Sequence, residues 1–308
     1  MSPLAAGKPA ARKRLAEALR RLQREHGRLN YRTDGSAVGE LVATILSQNT
    51  SAANSSAGYR QLWRRFRSWH AVADAPVDPI ERCIRVSGLA RVKAPRIKKI
   101  LQQIRQHNAA AGRSRARLSL DFLRHWPTQK AYQYLLGFEG VGPKTAACVL
   151  LFAFGKPVFP VDTHILRIAV RLGVLRAGTR AEQAQDILTP LIRPAHRLGM
   201  HLLLITHGRR TCRALGPHCD FCRLLDLCPT GKRRLLHLNS SREQREHDSL
   251  PVRAVRGDSP SFDAGPAQDE YVPADHQGPS GRSLFRSGTS SGRSFLTVSQ
   301  TICFRTPK

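Results

Sequence analysis

Gly137-Phe138-Glu139-Gly140-Val141-Gly142-Pro143-Lys144-Thr145-Ala146 is the stretch on which the reading of this 308-residue chain turns. Gly140 and Gly142 flank one small apolar residue, so the backbone can turn tightly and bring its amides close to an anion where a Cβ would intrude. Pro143 suits the first position of a helix, because the amide it lacks has no partner there. The apolar run at 145–154 continues that helix, and Gly155 with Pro157 stops it. Such a helix aims its free amides and positive dipole end at whatever lies over the glycines, which favours a phosphate. Lys144 falls in its first turn, where the dipole and partial desolvation are expected to lower the amine's pKa toward that of a nucleophile. Eighteen positions further on, Asp162 follows Val158-Phe159-Pro160-Val161 and precedes an apolar-periodic segment at 163–172, the place of an N-cap. On spacing alone, a glycine-rich loop before a core helix with an ordinary capping aspartate accounts for the pair as well as a reaction centre does.

Around this stretch the chain is strongly basic, with a formal charge of +28. Residues 238–308 carry nine Lys/Arg against eight Asp/Glu, so the basicity belongs to residues 1–237, as expected of a protein that meets polyanions. Charge alone does not separate DNA from RNA or from an acidic membrane surface. A transmembrane helix is excluded, since no apolar run approaches the required eighteen or so residues. The Arg-rich amphipathic segment at 10–29 contains Glu17 and Glu25 and lacks a secretory apolar core, so it reads as a helix of the fold. The absence of a targeting signal fits a bacterial cytoplasm, with a nuclear or organellar compartment as the alternative.

Helical periodicity recurs at 38–46, at 52–66 with Tyr59, Leu62 and Phe66 on one face, and at 163–172, 181–188 and 196–208. Residues 113–129 read as a linker with a short helix. Strand-length alternation is missing from the first 210 residues, so the fold class is all-α. Of seven cysteines, Cys212, Cys219, Cys222 and Cys228 are spaced C-x6-C-x2-C-x5-C. Four thiolates so close in sequence can close around one metal centre in a reducing compartment, whereas structural zinc usually takes two short knuckles set well apart. Cys83, Cys148 and Cys303 lie outside that pattern, and Cys148 reads as a small core residue. Residues 238–308 are rich in Ser, Gly, Pro, Arg and Asp and are expected to be disordered.

The string Gly-Val-Gly-x-Lys-Thr-Ala at 140–146, followed by Val161-Asp162-Thr163-His164, resembles the helix-hairpin-helix and Gly/Pro-Asp signature of the endonuclease III family of DNA glycosylases. The resemblance covers roughly residues 23–234. It implies that Lys144 is the catalytic nucleophile and Asp162 its essential partner. It also implies that Gln48, in Ser47-Gln48-Asn49-Thr50, fills the gap left by an extruded nucleotide, and that Leu89, in Ser87-Gly88-Leu89-Ala90, wedges into the opposite strand. Ser51 stands where the family usually has an aspartate, which touches base preference more than the reaction. Lys93, Arg96, Lys98 and Lys99 then read as phosphate neighbours, and Gly140, Val141 and Gly142 as the hairpin that meets DNA. The cysteine spacing and the His207-Gly208-Arg209 lead-in match the family's 4Fe-4S loop, which presents Arg213 to phosphate.

The resemblance implies both an architecture and a reaction. An iron-sulfur lobe would comprise residues 1–28 and 157–237, a six-helix lobe with the hairpin residues 29–156, and duplex DNA with damaged bases or abasic sites would lie between them, bound by a monomer. The activity would be base excision, of oxidised pyrimidines first, with abasic-site lyase chemistry through a lysine Schiff base. Adenine glycosylases for A:G mispairs carry a catalytic glutamate near the Ser47-Gln48 segment and lack the lysine, and neither feature is apparent in this sequence. A mismatch-specific glycosylase and a non-catalytic module that only binds duplex DNA are the competing readings.

Overall fold

The computed structural model describes residues 3–27, 29, 31, 36–112 and 118–248, the side chains of 242–248 excepted. In chain order the helices are α1 (Lys8–His26), α2 (Ala37–Leu46), α3 (Ala52–Phe66), α4 (Trp69–Asp74), α5 (Val77–Ile84), α6 (Ala90–Ala110), α7 (Thr128–Leu136), α8 (Pro143–Phe154), α9 (Thr163–Arg171), α10 (Ala181–Leu188), α11 (Arg197–Arg210) and α12 (Pro229–Asp248). Among the described residues there is no strand, only one isolated bridge between Leu4 and Leu175, so the all-α expectation holds.

Local chemistry explains where the helices begin. Ser36, Ser51 and Ser68 each accept, through Oγ, the amide three residues on, and Asp162 does the same for Ile165 at 2.8 Å. Ser51 therefore performs at the start of α3 the capping that an aspartate would. Gly155, at φ 63°, ends α8 in the left-handed conformation.

Two apolar clusters hold these helices. One gathers buried residues from α2 through α8, such as Leu41, Leu62, Ile97 and Val149. The other joins α1 to the segment after α8, with Leu15, Leu22, Phe159, Ile168 and Leu204. All ten residues of α2 are buried, and it packs on α8, so these two helices form the wall from which the site is built.

Residues 238–308 were expected to be disordered, yet α12 continues to Asp248. Its start at Pro229 and a run of good helix formers, Lys232 to Leu236 and Arg242 to Glu246, let the helix propagate beyond the last core residues. The rest of that segment, with Cys303, lies outside the described residues.

Candidate active site

The hairpin joins α7 to α8 through residues 137–142. Val141 is buried, and its amide donates to the Phe138 carbonyl at 3.1 Å, so it pins the turn and has neither its side chain nor its amide turned outward. Gly140 sits at φ 77°, and a Cβ there would lie 2.2 Å from Arg96 Cδ. Glycine is needed at that position for the left-handed backbone and for the packing of α6. A Cβ on Gly142 would meet nothing within 4 Å, so the open approach is on the side where α8 begins.

A cavity of about 610 Å³ lies beside that helix start, and its walls include Lys144, Cys148, Asp162, Glu40, Gln48 and His201. Lys144 and Asp162 thus share one cavity. The Cys148 sulfur, one turn along α8, acts first to hold the Lys144 ammonium above its ordinary pKa; burial opposes it, and the carboxylates of Asp162 and Glu40 add to the rise. Cys148 itself is pushed up to about 11 by burial, so near neutrality it is an uncharged thiol. There, the two carboxylates are what oppose desolvation. The sequence led us to expect a lowered pKa, and the direction is the reverse, first through the Cys148 sulfur and then through the negative charge at the cap of α9 and on α2. Cys148 is buried as expected, yet it lines the cavity as well as the core.

Five further side chains give the cavity its chemistry. Tyr31 Oη donates to Glu40 Oε2 at 2.5 Å, and Thr44 Oγ1 donates to Glu40 Oε1 at 3.2 Å. The Tyr31 ring stacks on Phe152 with centroids 4.5 Å apart, and His201 meets Phe152 edge-on at 5.2 Å. Burial drives His201 down to about 4, so its imidazole is neutral; with Nδ1 3.0 Å from the Pro160 carbonyl, Nδ1 carries the proton and Nε2 the lone pair. None of these residues was singled out from the sequence. For Glu40 a signal existed: it is the sole ionisable residue in an otherwise apolar helix. It lies two turns before Ser47, so a glutamate from this segment does enter the cavity, contrary to the sequence reading.

Two loops rise beside the cavity. Gln48 Nε2 donates to the Gly140 carbonyl at 3.1 Å and to Thr145 Oγ1 at 3.2 Å, tying the loop after α2 to the hairpin. The other loop carries Leu89, which is 53% exposed. Asn49 and Leu89 both have positive φ, 52° and 53°, a conformation that costs a residue with a Cβ, such as leucine, about 1–2 kcal/mol. One residue holds both strained tips. Lys93 is only 1% exposed and donates to the carbonyls of Leu46, Gln48 and Ser87 at 2.8, 2.7 and 2.9 Å. Its expected place among phosphate neighbours is therefore wrong, because its ammonium is consumed inside the fold. Burial lowers its pKa to about 8, against three carbonyls that each favour the charged form. Of the other basic residues in that run, Lys98 donates to the Ala75 carbonyl and Lys99 to Glu139 Oε2.

A profile described as HhH-GPD superfamily base excision DNA repair protein matches residues 42–194. An Arabidopsis thaliana protein whose name carries a provisional DNA glycosylase assignment is 36% identical over 181 residues, 59% of this chain and 59% of its own length. Endonuclease III of Sulfolobus acidocaldarius is 33% identical over 190 residues, which are 61% of this chain and 79% of that protein. The chain belongs to the endonuclease III family. Two solved structures of Endonuclease III with DNA, a non-covalent complex and a trapped covalent intermediate, each align at TM-score 0.60 and 28% identity, covering 73% of this chain and 98% of theirs.

Where the family resemblance points to an iron-sulfur loop, Cys212, Cys219, Cys222 and Cys228 line one small cavity of about 130 Å³ with His207. Amide donors reach two of the sulfurs, from Leu224 to Cys222 at 3.4 Å and from Gly231 to Cys228 at 3.2 Å, and Arg171 Nη1 lies 3.3 Å from Cys212. Burial raises the thiols of Cys219, Cys222 and Cys228, that of Cys222 to about 11. Among the described residues no three of these sulfurs come within 4.8 Å of one another. A single tetrahedral zinc with bonds of about 2.3 Å would hold them about 3.8 Å apart, so the sulfurs are set wider than one zinc requires. Arg213, in the loop between the first two cysteines, is exposed, with Nη2 2.6 Å from His218 Nε2, and its carbonyl accepts from Arg171.

Proposed function

We propose that this base-excision-repair DNA glycosylase is also an abasic-site lyase that works through Lys144. The observation carrying the reading is the common cavity of Lys144 and Asp162 at the start of the hairpin helix. In its free-base form the Lys144 amine attacks C1′ of the extruded nucleotide, and the base departs with the electron pair of its glycosidic bond and takes up a proton. The sugar ring then opens to an iminium joining Nζ to C1′. Loss of a 2′ proton to a base moves electrons toward C3′ and expels the 3′ phosphate, and water finally releases Lys144. Asp162 accepts the proton that Nζ sheds once its bond to C1′ has formed, and it offsets positive charge on the sugar. Gln48 and Leu89 occupy the space left in the duplex, while the backbone at Gly140 and Gly142 and the side chain of Arg213 approach phosphates. The lobes of the protein, 1–28 with 157–237 and 29–156, close on damaged duplex DNA. That the solved neighbours include a trapped Endonuclease III–DNA covalent intermediate supports the same chemistry here.

Incubation of the native chain with a duplex containing one abasic site, in borohydride, is expected to give a covalent adduct whose peptide contains Lys144. Binding without any adduct would remove the lyase reading and leave a glycosylase that uses water. Because Lys144 is held above its usual pKa, the adduct rate should climb with pH from about 6 to about 10, as more of the amine sheds its proton. Asp162→Asn deletes one charge that raises this pKa, so single-turnover rates plotted against pH should show the rise at lower pH, from a lower ceiling.

The four cysteines fit a 4Fe-4S cluster: their sulfurs converge, are wider apart than zinc needs, and receive N–H donors of the kind that stabilise ligating thiolates. When bound, the cluster would cross-link the segment after α11 and fix the loop bearing Arg213. Metal analysis of aerobically or anaerobically purified protein should find about four iron and four sulfide per chain. One zinc and no sulfide would reject the assignment.

A further inference from the structure

We infer that Glu40 reads the extruded base, accepting a hydrogen bond from a ring or exocyclic N–H and thereby selecting which bases are removed. This deepens the glycosylase reading and rests on it. Glu40 is 6% exposed on a helix whose other nine residues are buried and uncharged. A carboxylate placed so costs several kcal/mol unless its surroundings compensate. Tyr31, Thr44 and the charge of the Lys144 ammonium supply such compensation here. What a carboxylate adds is a strong acceptor on the wall of the cavity that holds Lys144.

The surroundings suit a planar heterocycle. Tyr31 and Thr44 each donate to a different oxygen of Glu40, which fixes the plane of the carboxylate. The stacked pair of Tyr31 and Phe152 offers an aromatic wall, and His201, neutral with its lone pair on Nε2, adds a second acceptor in the same cavity. Two acceptors beside an aromatic wall select a base rich in N–H, such as a saturated pyrimidine with amide- or urea-type nitrogens. A base lacking that hydrogen would set a methyl group or a lone pair against the carboxylate, and a site built to take a hydrogen bond rejects such an analogue far more strongly than a hydrophobic pocket does.

The test uses three duplexes, carrying dihydrouracil, its N3-methyl derivative, or an abasic site, with native protein and Glu40→Gln. Native protein is expected to excise dihydrouracil at least about 100-fold faster than the N-methyl base. In Glu40→Gln, the ratio of dihydrouracil excision to abasic-site trapping should fall at least about 50-fold, with most of the methyl discrimination gone. Equal losses in excision and trapping would mark Glu40 as structural, and unchanged excision or no native preference for the N–H base would likewise overturn the inference. If native protein traps on the abasic duplex yet removes neither base, the lyase reading stands and the inference falls. If native protein traps nothing but still excises dihydrouracil, the lyase reading fails while the Glu40 comparison is read from excision rates alone.

Discussion

Lys144→Ala should abolish the borohydride adduct on an abasic duplex, with a loss on the order of a thousandfold or more in single-turnover rate. The expectation rests on the proposed role of nucleophile: among the described residues no other amine lines that cavity, the remaining basic groups there being histidine and arginine. Duplex affinity should survive, because the groups proposed to meet phosphate lie elsewhere, on the hairpin backbone and the loops. Folding should survive as well. Replacing Lys144 removes a buried ammonium from beside Asp162, but Asp162 keeps its bond to the Ile165 amide as the cap of α9. The decisive comparison is therefore between trapping and binding at the same salt concentration. A variant that still traps would move the nucleophile to another residue, and one that also loses binding would show a folding defect instead.

Lys93→Met should lower stability by about 3–5 kcal/mol. The substitution keeps the length of the side chain and deletes the ammonium that three carbonyls share. Those carbonyls come from the end of α2, the Gln48 turn and the Ser87 turn, so two loops lose their common anchor in one change. Urea titration measures the loss. Even below the transition, the variant should bind a damaged duplex at least about tenfold more weakly, because Asn49 and Leu89 no longer have a support that holds their positive φ values. By contrast Lys99→Met, which removes an exposed bond to Glu139, should change stability by less than about 1 kcal/mol. Similar stabilities for the two variants would mean that the buried ammonium is not what holds the loops.

These two lysines also show what could be read from the chain before its structure. Helix starts were legible because their signals are local: Pro143 at the head of α8, and Asp162 within three residues of the amide it caps. The position of Lys144 at the start of α8 came from the same signals. Its pKa direction did not: beyond the Cys148 sulfur one turn along α8, it depends on Asp162 and on Glu40, more than a hundred residues earlier, which only the tertiary fold brings near. Lys93 was misread for a related reason. In the sequence it opens a run of basic residues, and its burial is decided by carbonyls at Leu46, Gln48 and Ser87, none of which advertises itself as an acceptor. Glu40 was passed over because the apolar residues around it mark a core helix, and core helices direct attention away from chemistry. A lone acid in such a helix was nevertheless a visible anomaly.

The wall of the cavity formed by α8 has a consequence for how such a protein can change. Lys144, Cys148 and Phe152 stand at successive turns along one face of that helix, and the opposite face, with Ala146, Val149 and Leu150, is locked into the core. Reactive amine and aromatic floor are thus mounted on the same rigid bar. A lesion too thick for the floor cannot be accommodated by shifting the bar without carrying the amine out of reach of the sugar. Tolerance for a bulkier base would have to come from trimming Phe152 or Cys148 where they stand, so the size of the acceptable base and the reach of the nucleophile are linked by geometry.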